Sequence, residues 1–304
     1  MEYILKSEKL GKQYGRFKAL DGFQMSVPKG SIYGFVGRNG AGKTTLFRLI
    51  CGLQEPSEGG FTLYGIENTD KNILHARQRM GAVVETPAIY MDMSAADNLR
   101  QQYRVLGLES FESIPELLKL VGLENTGRKK AGRFSLGMKQ RLGIAMALAG
   151  GPDFLLLDEP TNGLDPQGII EMRELILKLN REQGITVLIS SHILDELSRL
   201  ATHYGIIDKG RMVKELTAGE LEAACRKCTR IAVSDMAALS RVLNVMGLDH
   251  RILSDTEADI YEKVSITQLV LALARENCEV LSLETKDESL ESYFISLTGG
   301  DGHA

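Results

Sequence analysis

The 304-residue chain carries 36 Lys and Arg against 40 Asp and Glu, a formal net charge of −4 with a pI near 5.8. That balance excludes the basic footprint of a dedicated nucleic-acid binder, and no apolar run reaches the roughly 20 residues of a membrane-spanning helix. The start of the chain, with Glu2, Lys6, Glu8 and Lys9, has no secretory apolar region, so the chain is expected to be soluble and intracellular. Its length predicts about two domains. Four cysteines are too few and too scattered for a disulfide framework. Cys51 and Cys278 read as small apolar residues, and Cys225-Arg-Lys-Cys228 has no second Cys or His pair nearby to complete a metal site.

Residues 2–36 read as short strands broken at Gly11, Gly15, Gly22 and Pro28-Lys-Gly30, ending in the apolar strand 31–36. Gly37-Arg38-Asn39-Gly40-Ala41-Gly42-Lys43-Thr44 follows, fitting the phosphate loop G-x-x-x-x-G-K-[ST], and a helical pattern continues over 43–51. Glycines there let backbone N–H groups turn inward as an anion nest, and the helix start adds a positive end. In that reading Lys43 reaches the β- and γ-phosphates and Thr44 holds Mg²⁺; the alternative is a Gly-rich turn that happens to end in Gly-Lys-Thr. Strands are predicted at 61–64 and 80–84. Between 94 and 150 the period becomes helical, with helices at 95–106, 114–121 and 135–149, a helical insertion in an α/β frame. Ser135 caps the last of these and Gly137 permits close approach, so this helix start is a second anion site or a simple cap.

The buried strand 154–157 ends in Asp158 and Glu159. A parallel sheet brings strand C-termini to one edge, so these acids can face the phosphates, Asp158 toward Mg²⁺ and Glu159 toward the attacking water. A strand end with a helix-capping acid is the alternative. A helix over 166–182, strand 185–189 and Ser190-Ser191-His192 place an imidazole at the same edge, as a γ-phosphate contact or a structural hydrogen-bonding residue. Helix 193–201 and strand 204–207 complete a mostly parallel sheet covered on both faces. Beyond 217 the pattern gives helix 218–226, strand 230–233, helix 235–246, strands near 251–253 and 260–264, helix 266–276, strand 279–283 and helix 288–297. Its central β-α-β-β-α-β order predicts a small α+β, ferredoxin-like domain.

Taken in order, the phosphate loop, Ser135 to Arg141, Asp158-Glu159-Pro160-Thr161-Asn162-Gly163-Leu164-Asp165 and Ser190-Ser191-His192 resemble the ATP-binding-cassette ATPases of ABC transporters. The resemblance covers about residues 1–220. It implies an ATPase domain over 1–216, with an antiparallel β subdomain and a helical subdomain at about 87–150, and leaves 217–304 as an accessory domain. It further implies a head-to-tail dimer with two ATPs sandwiched between the phosphate loop of one subunit and the Ser135 segment of the other. In that pattern Tyr14 stacks on adenine, although it could equally be a core aromatic. Gly37, Asn39, Gly40, Ala41, Gly42, Lys43, Thr44 and Thr45 hold phosphates and Mg²⁺, Ser135 and Gly137 meet the opposite γ-phosphate, and Asp165 lies at the dimer seam. Glu159 and His192 are then catalytic, with Thr44, Asp158 and Glu85 around the metal.

Two positions depart from the commonest pattern: Leu136 and Met138 replace a glycine and a glutamine, and Glu85 replaces the glutamine that senses Mg²⁺ and the membrane partner. Glu85, Ser-Leu-Gly-Met-Lys-Gln-Arg and the ending Glu291-Ser-Tyr-Phe-Ile-Ser-Leu-Thr-Gly299 resemble the bacitracin-export and lantibiotic-immunity subgroup. The function implied is ATP hydrolysis driving a separately encoded permease, exporting an antimicrobial peptide or other amphipathic compound, from a cytoplasmic position on the inner face of the membrane. The rival is a soluble ABC ATPase acting on nucleic acid or ribosomes, which usually has a long coiled-coil insertion or two cassettes in one chain, neither visible here. A regulatory subunit that hydrolyses little is opposed by the retention of Glu159 and His192. No nucleic-acid partner is expected.

Overall fold

The computed structural model describes residues 2–225, 228–262, 264–286 and 290–299. Contacts divide the chain into two compact units, one built on Met1–Ala218 and the other on Gly219–Ser296.

In the first unit, β1 (Tyr3–Tyr14) and β2 (Phe17–Pro28) form a long antiparallel hairpin. With β4 (Glu58–Leu63) and β5 (Ile66–Glu67) they make an antiparallel sheet in the order β2-β1-β4-β5. Gly15 and the Pro28-Lys-Gly30 turn end strands as expected, whereas Gly11 and Gly22 mark irregularities inside long ones. Register shifts fall between Leu10 and Lys12 of β1, opposite Phe23 and Leu20, where Gly22 has φ of +60°. A bulge absorbs the left-handed residue and bends the strand without ending it. Gly15, at φ +58°, forms the hairpin turn.

The second sheet runs β10-β9-β3-β8-β7-β6, built from β3 (Ile32–Gly37), β6 (Met80–Val83), β7 (Phe154–Asp158), β8 (Thr186–Ser191), β9 (His203–Asp208) and β10 (Arg211–Thr217). Every pair in it is parallel except β9 with β10. All residues of β3, β7 and β8 are buried, as a parallel sheet covered on both faces requires. Strand β10 lacks that signature: only Leu216 is buried, which explains why its sequence gives no strand signal. Helices α1 (Lys43–Ile50), α2 (Ile73–Gln78), α6 (Pro166–Gln183) and α7 (Leu194–Ser198) accompany the sheets, while α3 (Ala95–Val105), α4 (Ile114–Leu120) and α5 (Leu136–Leu148) form the helical insertion. One apolar cluster joins the two sheets. Phe23 meets Phe35 edge-on at 5.7 Å, Phe35 stacks on Phe47 of α1 at 6.4 Å, and Leu5, Leu156 and Leu188 belong to the same cluster. The phosphate-loop helix is thereby fixed to both sheets.

The second unit contains α8 (Ala218–Ala224), β11 (Cys228–Val233), α9 (Met236–Val245), β12 (His250–Ile252), β13 (Glu257–Ile260), α10 (Ile266–Arg275), β14 (Val280–Lys286) and α11 (Leu290–Leu297). Its antiparallel sheet runs β12-β13-β11-β14. Strand β13 thus lies between β11 and β12, and β11 between β13 and β14, which are two interleaved βαβ units and the ferredoxin-like arrangement. Its core holds Ile231, Val233, Leu239, Leu243, Ile260, Leu269 and Leu273. Cys278 is buried there, with its Sγ 3.3 Å from Asp235 O. Arg226 and Lys227 of the C-x-x-C segment, Lys263, and the expected helix start at 288–289 lie outside the described residues. Among the described residues, no helix is long and apolar enough to cross a membrane.

Candidate active site

The phosphate loop leaves the sheet at the end of β3. Glycine is required at Gly37 by packing, since a Cβ there would lie 2.5 Å from Ile207 Cγ2 and 2.8 Å from the Ile207 carbonyl. At Gly42 it is required by conformation, φ being +112° with Ala19 O 2.6 Å from a notional Cβ. Between them, Ala41 N–H donates to Arg38 O at 3.1 Å, and Gly210 N–H donates to Ala41 O at 3.0 Å, tying the loop to the β9–β10 turn. Asn39 and Gly40 form its exposed crest, and Thr44 and Thr45 open α1 beside Lys43.

Lys43 is buried, and a buried ammonium is costly unless its protons are taken up. Its Nζ donates to Gly37 O at 2.6 Å and Arg38 O at 3.3 Å, and pairs with Glu159 Oε1 at 3.0 Å. The second Glu159 oxygen lies 3.1 Å from His192 Nδ1. Glu159 itself has φ of +47°, a backbone conformation that L residues seldom adopt.

One strand away, β7 and β8 pair in parallel with Asp158 opposite Ser190. The Ser190 hydroxyl donates to Asp158 Oδ1 at 2.6 Å and accepts from Glu159 N–H at 2.9 Å. Thr44 Oγ1 donates to Asp158 Oδ2 at 2.8 Å. Lys43, Thr44, Asp158, Glu159 and His192 therefore meet at one sheet edge, with Ser190 fixing both acids.

The remaining predicted residues sit apart from this cluster or serve local structure within one chain. Ser135 caps α5, accepting from Met138 N–H at 3.3 Å, and Asp165 caps α6, accepting from Gly168 N–H at 3.0 Å. Gly137 lies in the first turn of α5, with only Leu164 near a notional Cβ, at 3.6 Å. Tyr14 ends β1 half-exposed, its hydroxyl bonded to Gln54 beyond α1 and Lys12 Nζ 5.4 Å from its ring centre. Pro87, two positions on, predicts an extended segment from Glu85, but a proline restrains only the residue directly before it, and Glu85 adopts φ of +61° in a bend after β6, where its carboxylate pairs with Arg48, one turn along α1 from Thr44. Nearby, Thr161 Oγ1 donates to Glu196 Oε2 at 2.8 Å, joining the segment after Glu159 to α7.

Ser190, Arg48, Gln54 and Glu196 are the residues that sequence reasoning left without a role. Ser190 could have been found from strand register alone; the others depend on long-range contacts. Burial pushes the Cys51 thiol up to about 12, in keeping with a small apolar residue. Among the described residues, no group of three or more His, Cys, Asp or Glu side chains could hold a metal ion by itself.

This combination of phosphate loop, strand-end acids, antiparallel sheet and helical insertion defines an ABC-type nucleotide-binding domain. The ABC transporter family matches residues 20–162. The bacitracin transport ATP-binding protein BcrA of Bacillus licheniformis is 41% identical over 303 residues, covering 99% of each chain. The lantibiotic transport ATP-binding protein SrtF of Streptococcus pyogenes is 42% identical over 212 residues, 70% of this chain and 90% of its own. A solved dimeric, post-hydrolysis structure of the ATP-binding cassette MJ0796 bound to ADP and Pi matches with a TM-score of 0.63 at 25% identity, over 70% of this chain and 98% of that one. The chain belongs to the ATP-binding proteins of ABC transporters. It is an ATP-binding, ATP-hydrolysing subunit that powers a membrane permease.

Proposed function

We propose that two copies close head to tail around two ATP molecules, and that this cycle drives export of an antimicrobial peptide or similar amphipathic compound by a permease in the membrane. The observation that carries the catalytic reading is the convergence of Lys43, Thr44, Asp158, Glu159 and His192 at one sheet edge. The loop N–H groups and Lys43 bind the β- and γ-phosphates. An incoming γ-phosphate competes with Glu159 for the Lys43 ammonium, which frees the carboxylate to accept a proton from the attacking water. His192, already against Glu159, orients that carboxylate and contacts the γ-phosphate. Thr44 and Asp158 would hold Mg²⁺, which supplies neutralisation of the phosphate charge; a hydroxyl beside a carboxylate is a donor set that suits a hard cation.

Tyr14 stacks on adenine, and the Ser135 and Gly137 segment contacts the γ-phosphate bound by the other copy, with Asp165 at the seam. The cargo reading rests on the bacitracin and lantibiotic transport of the relatives. The protein would then work from the cytoplasm, against the inner face of the membrane. An apolar cleft of about 390 Å³ lined by Leu53, Val84, Pro87, Leu106 and Met146 lies beside Glu85 and suits a cytoplasmic segment of the permease.

Two predictions follow from these assignments. Ser135→Arg puts a bulky cation at the start of α5, so ATP binding by the single chain survives while dimerisation and turnover fail. A variant that still dimerises with ATP reduces Ser135 to a helix cap. Glu85→Ala and Arg48→Ala each cut the link between α1 and the cleft, so both keep ATP binding and lose permease-stimulated hydrolysis more than basal hydrolysis. Equal loss of the two rates would make Glu85 a metal-site residue, and unchanged rates would leave it a surface acid. The reading as a whole is tested by purification from detergent-solubilised membranes: a polytopic permease retained with the chain supports it, and ribosomes or DNA retained in its place refute it.

A further inference from the structure

Helix α10 has two apolar faces, and the fold of the second unit uses one. Leu269 and Leu273 are fully buried in the core. Ile266, Val270 and Ala274, spaced i, i+4 and i+8, and Leu271 form an adjoining stripe that stays in solvent, with Ile266 51%, Val270 38% and Leu271 57% exposed. The stripe does not face α9. Arg241 of α9 pairs with Glu276 at 3.1 Å, and Glu276 projects from the opposite flank of α10. A ten-residue helix with a solvated face made of Ile, Val and Leu is the pattern of a groove-binding partner surface, because scattered polar residues would serve solubility better.

Charge selects the occupant. Residues 219–296 contain eight Lys or Arg and fourteen Asp or Glu, a net charge of −6 within a chain whose total is −4. Arg230 pairs with Asp259 and Arg241 with Glu276, each pair neutral in itself, so the excess of −6 is carried by the remaining side chains. A second acidic copy is repelled by this unit, and so is the anionic inner leaflet of a membrane. Cytoplasmic segments of polytopic membrane proteins carry an excess of Lys and Arg. Resting on the permease partner proposed above, we propose that the Ile266, Val270, Leu271 stripe of α10 is a second docking surface, taking a basic amphipathic cytoplasmic segment of the permease. The accessory unit thereby holds the permease independently of the cleft beside Glu85.

The test uses the full chain in membranes of cells that also make the permease. A photo-cross-linking residue at position 270 is expected to label a Lys/Arg-rich cytoplasmic segment of the polytopic protein that co-purifies with the chain, while the same residue at Gln268, on the other flank, labels none. Val270→Asp with Leu271→Asp should lower retained permease roughly tenfold, as loss of central apolar contacts does, with nucleotide binding intact as the check on folding. Both side chains are already in solvent, so the core is not altered. Permease retained equally by wild type and the double variant, or cross-links from position 270 to a second copy or to lipid, overturns the docking surface alone. A wild-type chain that retains no polytopic protein overturns the permease reading itself, and this inference with it.

Discussion

Glu159→Gln is expected to bind ATP and to lose about 10²- to 10⁴-fold in turnover, the range for removing a positioned general base. The amide keeps the shape of the carboxylate and the Ser190 bond to the backbone of residue 159, so the acids' anchoring survives. What goes is proton acceptance, together with the ion pair to Lys43 at 3.0 Å. Because Glu159 and the γ-phosphate compete for that ammonium, ATP affinity should hold or rise while hydrolysis collapses. Turnover measured at saturating Mg·ATP checks the first half, and nucleotide titration the second. Near-normal turnover would falsify the assignment of Glu159 as the base.

Lys43→Ala should act on binding itself. The buried Nζ is the cation closest to the loop carbonyls, and a charge-assisted hydrogen bond contributes about 1.5–3 kcal/mol, so affinity should fall roughly 10- to 100-fold. The substitution also leaves Glu159 without its counter-charge, which disfavours an incoming phosphate further. Titration calorimetry with ATP reads the loss directly. Equal binding by wild type and variant would mean that the loop, despite its glycines, does not cradle phosphate through this lysine.

The sheet edge that gathers Lys43, Thr44, Asp158, Glu159 and His192 was legible in the sequence because its determinants are local. The glycine spacing before Lys43 and the apolar strand running into Asp158 and Glu159 each carry their meaning in a few adjacent residues. Ser190 adjoins the Ser-His pair in the sequence yet signals no role there, because its contacts depend on the register that sets it opposite Asp158. Arg48 is a different case: its partner Glu85 is distant in sequence and reaches it from a left-handed bend. The proline two positions after Glu85 suggested extended backbone there, and a proline constrains only the residue directly before it. The long hairpin β1–β2 looks like fragments in the sequence because Gly11 and Gly22 resemble strand ends, and only cross-strand pairing shows them as irregularities within continuous strands. Strand β10 exposes most of its residues and so has no apolar alternation to find. In the second unit the element order was readable, whereas the strand order β12-β13-β11-β14 comes from long-range pairing.

The most direct test is the mass of Glu159→Gln in solution with Mg·ATP, by sedimentation equilibrium with bound nucleotide counted. The account predicts a dimer holding two ATP molecules that reverts to monomer when Ser135→Arg is added. A chain that stays monomeric while saturated with ATP, or a dimer indifferent to nucleotide and to Ser135→Arg, would contradict it.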